Sequence, residues 1–171
     1  MSIYFTADLH LNHWTTSERN IIKYCSRPFQ DIEEMNNTLI TNWNSIVKAE
    51  DTVYHLGDFC LRNDRTVAYW EANLNGKIVH IIGNHDHKIK GLSSAIIRLL
   101  GRETFLSHYP PTIIPASCCM ALCGHIHDRW KGKLLEGKPV INVGVDVWDY
   151  APVEPNKIIG LADKLRSEAP E

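Results

Sequence analysis

Hydrophobic and polar positions recur along the chain with two periods, and these periods predict strands and helices in turn. The segment IYFTA (3–7) alternates and is rich in β-forming residues, so we expect the chain to open with a strand. Residues 31–50 carry apolar side chains at helical spacing and predict the clearest helix, which Asp31 begins. DTVYHLG (51–57) predicts a second strand, and KIVHII (77–82) predicts a third that is buried on both faces.

Shorter helices are predicted between and after these strands. Thr15 and Glu18 form a capping-box pattern ahead of one helix. Asp64 is predicted to begin another helix, which Gly76 ends, and a short helix is predicted near 93–100.

Strand patterns dominate the second half of the chain. ETFLSH (103–108), CMALCG (119–124) and KPVINVG (138–144) predict further strands, while NKIIGLADKL (156–165) predicts a last strand or a terminal helix. Strands alternate with helices early and follow one another late, which favours a layered α/β fold with mixed sheets and helices outside.

Length and composition limit the classes of protein to consider. The 171 residues fit one domain, predicted over 1–168 with a disordered tail at 169–171, and the content of 44% hydrophobic and 22% charged residues is typical of soluble globular proteins. A net charge of −2 argues against binding of long nucleic acid through a global basic field.

Cysteine usage and the start of the chain predict a cytoplasmic protein without membrane association. The five cysteines have apolar surroundings and no C-x-x-C spacing, which favours reduced, buried thiols over disulfides or a thiolate zinc site. The N-terminus has neither a basic region nor a long apolar one, and no apolar run approaches about 18 residues.

Potential metal ligands follow five of the predicted strands. These strand ends carry Asp8-Leu9-His10, Asp58, Asn84-His85-Asp86, His108 and His125-Ile126-His127. Ligand sites in α/β sheets form beyond the carboxyl ends of the strands, and side chains two apart on an extended segment face the same side. Imidazole, carboxylate and amide ligands suit Mn, Fe, Co, Ni or Zn, and seven of them with one shared carboxylate fit two metals.

The order of these motifs resembles that of the calcineurin-like metallophosphoesterase superfamily. The matching segments are DLH (8–10), GD (57–58), GNHD (83–86), SH (107–108) and GHIH (124–127). The chain looks like the small, cap-free members from bacteria and bacteriophages, which also tend to carry DLHxxH and RPF, here DLHLNH (8–13) and RPF (27–29).

The resemblance implies a four-layer α/β/β/α sandwich with two mixed sheets and a centre of two divalent metal ions. These would be Mn, Fe, Ni or Zn, with Mn favoured. One ion would be held by Asp8, His10 and His127, the other by Asn84, His108 and His125, and Asp58 would bridge the two. A hydroxide bridging the ions would attack the phosphorus of a phosphoester.

Four further residues receive expected roles. His85 is expected to protonate the leaving group, and Asp86 to orient His85 by accepting a hydrogen bond. His13 either contacts the substrate phosphate or lies at a helix entry, and Arg62 either clamps phosphate or is an exposed arginine near a helix.

The expected substrate is a small phosphomonoester or phosphodiester, for which a nucleotide is considered, and the sequence leaves a homodimer open. A catalytically silent binding module of the same fold, like a retromer subunit of similar architecture, is the alternative, although such a module should show eroded ligands. A metallohydrolase acting on amides or esters is a third interpretation, against which Asn84 and the G-N-H-D turn speak.

Several residues near the motifs have two interpretations. Arg27 is expected at the surface by default, with contact to the pocket as the alternative. Asn142 and Asp146 either line the cleft or belong to a strand and turn. The aromatic residues that either pack in the fold or form a stacking rim for a nucleobase are Trp14, Tyr109, Trp130 and Trp148.

Overall fold

The computed structural model describes residues 1–15, 20–61 and 64–169, and these form two β-sheets with helices. The strands are β1 (Ile3–Thr6), β2 (Thr52–Leu56), β3 (Lys77–Ile81), β4 (Ser94–Leu99), β5 (Arg102–Ser107), β6 (Met120–Cys123), β7 (Gly132–Leu135) and β8 (Lys138–Asn142). The helices are α1 (Ile21–Tyr24), α2 (Ile32–Ile46), α3 (Val67–Ala72) and α4 (Pro155–Ser167), with a 3-10 turn at Val145–Val147.

The smaller sheet has the strand order β1-β2-β3, and its three strands are parallel. Helices α2 and α3 cover its outer face, where Leu39, Trp43 and Trp70 pack with Val53 in one apolar cluster. This arrangement explains the period of α2, since its buried positions recur every three or four residues along one stripe.

The larger sheet has the order β4-β5-β6-β8-β7 and is mixed. Its central strands β5, β6 and β8 are parallel, whereas the edge strands β4 and β7 are antiparallel to their neighbours. The inner faces of the two sheets meet in the central core, where Phe5 and Leu56 join Leu106, Met120 and Ile141.

The predicted α/β class with two packed sheets is confirmed, with two differences in detail. The smaller sheet is mixed only through an antiparallel bridge between Phe5 and Val153. Helix α4 joins the central core through Ile158 and Ala162, and the other face of the larger sheet is covered by the segment that contains Ile114.

The short helix predicted near 93–100 is wrong, because this segment forms strand β4. Half-buried Ala95 and Ile97 alternate with exposed Ile96 and Arg98, which is a period of two. Leu100 and Gly101 follow with φ of 45° and 84°, as in the two-residue turn that joins paired strands.

The N-terminal caps of α1 and α2 are formed by Asn20 and Asp31. The predicted start of α2 is confirmed, since the Asp31 side chain accepts a hydrogen bond from the Glu34 N–H. Helix α1 begins after Asn20, whose side chain accepts from the Ile22 N–H. Glu18 of the predicted capping box lies outside the described residues.

The predicted bounds of the next helix, at Asp64 and Gly76, are wrong. Helix α3 is capped by Thr66 and ends at Ala72, while the Asp64 carboxylate accepts a hydrogen bond from the Asn12 amide at 2.8 Å. Within the described residues, no helix is long and apolar enough to cross a lipid bilayer.

Candidate metal centre

The strand-end motifs converge at one edge of the sheets and line a cleft of about 390 Å³. Residues from the predicted site in this lining are His10, His13, Asp58, Asn84, His85, His125 and His127. Ile21, Tyr24 and Arg129 complete the wall. Nothing in the sequence indicated that Ile21 and Tyr24 would line the cleft, because they occupy the short helix α1 and follow no ligand pattern.

One group of potential ligands consists of Asp8, His10 and His127, whose ligand atoms all lie within 4.8 Å of one another. The Asp8 carboxylate accepts from the His125 backbone N–H at 2.9 and 3.1 Å, so it is fixed to the motif that supplies His127. Burial raises the pKa of Asp8 to about 6, since a carboxylate is costly in an apolar surrounding.

A second group consists of Asp58, His108 and His125, again within 4.8 Å. Asn84 joins it, because its Oδ1 lies 3.0 Å from both His108 Nε2 and His125 Nδ1. His108 Nδ1 donates to the Leu56 carbonyl at 2.8 Å, so Nε2 is the ring nitrogen that faces Asn84 and the other ligands.

Asp58 lies between the two groups. Its Oδ2 is 3.5 Å from His10 Nε2 and 3.5 Å from His108 Nε2. Its other oxygen accepts from the His85 backbone N–H at 2.9 Å, which fixes the plane of the carboxylate.

The donor set fits divalent metal ions. His10 Nε2 is buried and has no hydrogen-bond partner within the described part of the chain. Burial, followed by the charge of Arg27, lowers the pKa of His10 well below its ordinary value, so the ring is neutral, as a metal ligand must be. Burial likewise lowers the pKa of His125.

Two other imidazoles of the cleft, those of His13 and His127, have pKa values shifted in opposite directions. Burial lowers the pKa of His13 to about 4, and its Nδ1 lies 3.1 Å from His10 Nδ1. Burial alone would lower the pKa of His127, but hydrogen bonds with Asp146 and Cys25 and the charge of Asp8 outweigh it and raise that pKa to about 10. A metal ion bound by His127 would therefore have to displace a proton from the ring.

The ligands reach the cleft through a backbone geometry that differs from the predicted extended segments. Five of them have left-handed backbones, with φ of 59° at Asp8, 50° at His10, 59° at Asp58, 71° at His125 and 50° at His127. Each left-handed non-glycine residue costs about 1–2 kcal/mol, so the edge of the sheet stores strain at the site.

Two glycines of the motifs permit close approach of the loops. Gly57 has φ of 93°, which favours glycine. A Cβ at Gly83 would collide with the carboxylate and the backbone nitrogen of Asp58. The G of G-D and of G-N-H-D therefore serves backbone geometry.

Asp86 has a different role from the predicted one. Its Oδ2 accepts from the backbone N–H groups of Asp58 and Gly83, both at 2.8 Å, and its Oδ1 accepts from Phe59 N–H at 2.9 Å. Asp86 therefore ties the loop after β3 to the loop after β2, and these bonds, instead of an interaction with His85, account for its burial.

Arg27 is buried, with 3% of its surface exposed, so its predicted default position at the surface is wrong. It forms two hydrogen bonds with Asp146, at 2.8 and 2.9 Å, and donates to the carbonyl groups of Asp8 and Leu9. Asp146 in turn lies 3.1 Å from His127 Nδ1. Arg27 of the RPF motif and Asp146 therefore form an ion pair behind the cleft.

The other predicted contacts are distributed as follows. His85 lines the cleft, with its ring centre 5.3 Å from that of His10 and 5.6 Å from that of His13. Arg62 lies outside the described residues. Asn142 donates to the carbonyl groups of His127 and Trp130, and thereby fixes the last ligand loop.

The aromatic residues divide into packing and rim positions. Trp148 donates to the Asn142 carbonyl, and Trp130 packs on the apolar cluster that contains Ile114 and Val140. Exposed Tyr109 lies with its ring 4.4 Å from that of His125, and exposed Tyr24 lies 6.0 Å from His127.

Two known proteins are similar to this chain in sequence. An uncharacterised protein of Methanocaldococcus jannaschii is 39% identical over 172 residues, covering 95% of this chain and 92% of its own length. The gene 66 protein of Mycobacterium phage L5 is 34% identical over 87 residues, which cover 48% of this chain and 39% of that protein.

Solved structures show the same fold. A protein of unknown function from Aquifex aeolicus has a TM-score of 0.74 at 26% identity, with 94% of this chain and 98% of that chain covered. Vps29 from Chaetomium thermophilum has a TM-score of 0.51 at 8% identity, over 84% of this chain and 73% of its own, which is a likeness of fold alone. The model of the calcineurin-like phosphoesterases matches residues 1–149, and the chain therefore belongs to this family.

Proposed function

We propose that the protein hydrolyses a small phosphodiester or phosphomonoester with two divalent metal ions, Mn being favoured. The observation that carries the proposal is the position of Asp58, whose Oδ2 is 3.5 Å from a histidine of each ligand group. A shared carboxylate of this kind suits a pair of ions better than a single structural zinc with four ligands.

One ion would be held by Asp8, His10 and His127. The other ion would be held by Asn84, His108 and His125, and Asp58 would contact both ions. When bound, the ions would supply Lewis-acid activation of water and neutralise charge on the phosphate oxygens. The chain's own part is to fix these ligands, through the bonds from His125 N–H to Asp8 and from His85 N–H to Asp58.

His85 is proposed to give a proton to the leaving oxygen. Its ring lies in the cleft beside His10 and His13 and is not one of the proposed ligands. Asp86 assists only indirectly, because it holds the backbone on which both His85 and Asp58 stand. His13 is neutral and its Nδ1 contacts His10 Nδ1, so we propose that it orients the His10 ring. A neutral imidazole has one N–H group, so His13 could donate no more than one hydrogen bond to the substrate.

The test is hydrolysis of bis(p-nitrophenyl) phosphate and of p-nitrophenyl phosphate by protein stripped of metal and resupplied with Mn, Ni or Zn. We expect metal-dependent turnover with two ions bound per chain by calorimetry. Asp58→Asn should lower turnover at least about 100-fold, and the exposed Asp128→Asn should not. His85→Ala should keep both ions and lose turnover of substrates with poor leaving groups.

A binding module of the same fold is the second candidate, supported by the likeness to Vps29 in fold. Two bound ions without turnover of either ester would favour the module. The complete set of seven ligand side chains around one cleft supports the enzyme instead.

A further inference from the structure

A second cavity, of about 410 Å³, adjoins the metal cleft. We call it the side pocket and define it by Leu61, Arg65, Val67, Ala68, His85 and Ile89 among its lining residues. His85 is a wall of both the side pocket and the metal cleft.

We infer that the side pocket binds the leaving group of the substrate, and that this group is uncharged and of nucleoside size. The inference rests on the proposed function. It narrows the substrate to phosphate esters whose alcohol is a nucleoside or another uncharged compound of similar size.

The position of His85 indicates in which direction the leaving group extends from the bound phosphate. A phosphate held in the metal cleft must place its leaving oxygen near His85 if His85 is to protonate it. The carbon substituent on that oxygen then continues past the His85 ring, and the cavity on that side is the side pocket.

The walls of the side pocket set the chemistry of its ligand. Val67 and Ala68 come from the first turn of α3, and Leu61 and Ile89 face them from the two loops that flank the cleft. A volume of about 410 Å³ with mainly apolar walls lies within the range of small-molecule sites.

The charge of Arg65 is already compensated. Its guanidinium forms two hydrogen bonds with Glu33, at 2.7 and 3.0 Å, and lies 5.3 Å from the ring centre of Trp70. An arginine paired in this way is a poor binding partner for a second phosphate. The lining also contains Lys88 and Asp86, whose charges are opposite, so an uncharged group fits better than a polyphosphate.

One wall of the side pocket is held in place by hydrogen bonds. Asp86, which lines it, ties the loops after β2 and β3 together through three backbone hydrogen bonds. A ligand therefore meets a wall that is already ordered, and little conformational entropy is lost on binding.

The test uses two phosphonates that cannot be hydrolysed, because carbon replaces the ester oxygen. One is the phosphonate analogue of adenosine 5′-monophosphate, and the other is methylphosphonate, which has the same head group without the nucleoside. Binding to the Mn-loaded protein is measured by calorimetry. We expect the nucleoside analogue to bind at least about tenfold more tightly.

Ala68→Trp fills the side pocket and should remove this tenfold advantage while leaving methylphosphonate binding unchanged. Ala72→Trp is the matched control, since Ala72 is an exposed residue of the same helix that does not line the pocket. Thermal unfolding of both variants checks that the fold is intact.

The results separate the inference from the proposed function. Equal binding of the two phosphonates to wild-type protein, or an undiminished advantage in Ala68→Trp, overturns the side pocket even if bis(p-nitrophenyl) phosphate is hydrolysed. An advantage lost only in Ala68→Trp supports the pocket as a ligand site even if hydrolysis fails.

Discussion

The pair Arg27–Asp146 shows how a metal ligand depends on side chains that bind no metal. Both side chains are buried, with exposures of 0% and 2%, and Asp146 lies 3.1 Å from His127 Nδ1. A carboxylate in this position fixes the orientation of the ring, as partners of metal-bound histidines commonly do. Arg27 fixes the carboxylate in turn, so we regard both as positioning residues.

Asp146→Asn should weaken the binding of one metal ion and spare the other. The amide still accepts from Arg27, but its NH₂ group cannot accept from His127. We expect the affinity of the Asp8–His10–His127 group to fall about 10- to 100-fold. Calorimetric titration of metal-free protein with Mn²⁺ measures the two binding events separately.

Asp149→Asn is the control, because Asp149 is exposed on the same segment and has φ of 54°, which asparagine tolerates. A purely structural role for Asp146 would weaken both events equally or lower only the melting temperature, and either result would contradict the assignment.

At this scale the sequence predicted the candidate ligands well, since the motifs name Asp8, Asp58 and His108 directly. It could not predict the bond between Arg27 and Asp146, because 119 positions separate the two residues and only the fold brings them together. The role of Asp86 was also missed, since its partners are backbone groups of another loop.

Strands β2 and β3 carry a histidine pair on their outer face. His55 and His80 are register partners, and His80 Nε2 contacts Glu71 of α3 at 2.9 Å. His55 is fully buried beside Phe59, and neither of its ring nitrogens has a hydrogen-bond partner within the described part of the chain. Burial, with the nearby charges of His80 and His108, lowers the pKa of His55 well below its ordinary value.

Buried His55 should lower the stability of the fold in acid. Below pH about 6.5 the unfolded chain protonates His55 and the folded chain does not, so the free energy of unfolding falls as the pH falls. Between pH 7.5 and 5.5 we expect His55 to account for a loss of about 1.4 kcal/mol. Urea unfolding of metal-free wild type and His55→Phe at both pH values measures the difference.

His87→Phe serves as the control, because His87 is exposed and should leave the pH dependence as in wild type. Other buried histidines titrate too, but they do so equally in both proteins. If wild type and His55→Phe lost the same free energy on acidification, the burial of a neutral His55 would not be the cause.

The elements that the sequence did not predict are the edge strands β4 and β7. Each enters a two-residue turn with positive φ at both positions, at Leu100-Gly101 and at Glu136-Gly137. Asn-Gly or Asp-Gly would have signalled such turns, whereas Leu-Gly and Glu-Gly do not. Short apolar runs such as SAIIRLL also fit a helix as well as a strand.

For the whole molecule, family resemblance predicted the two packed sheets, while strand counting only permitted them. The cover of the sheets could not be predicted, because which surface a helix buries depends on contacts distant in sequence. The predicted burial of the thiols is confirmed for four of the five cysteines. All five cysteines are free, and only Cys119 is more than 8% exposed.

Thiol reactivity should therefore report on the packing of the whole chain. Burial raises the pKa of Cys60 to about 12 and raises that of Cys123 as well. With Ellman's reagent at pH 7.5 we expect one fast thiol in the native protein and five in denaturant. The remaining thiols should react at least about tenfold more slowly.

Cys119→Ser should abolish the fast phase and leave the slow one. Rapid labelling of several thiols in native Cys119→Ser would contradict the packing of the clusters that contain Cys25, Cys118 and Cys123.

The left-handed backbones of the ligands have an evolutionary consequence. Glycine at His10 or His127 would relieve about 1–2 kcal/mol of backbone strain, whereas glycine at Asp8 or Asp58 would also remove the hydrogen bonds that these carboxylates accept from His125 and His85. A lineage that no longer needed metal would therefore be expected to lose the side chains of His10 and His127 before those of Asp8 and Asp58, because most proteins lie close to their stability threshold.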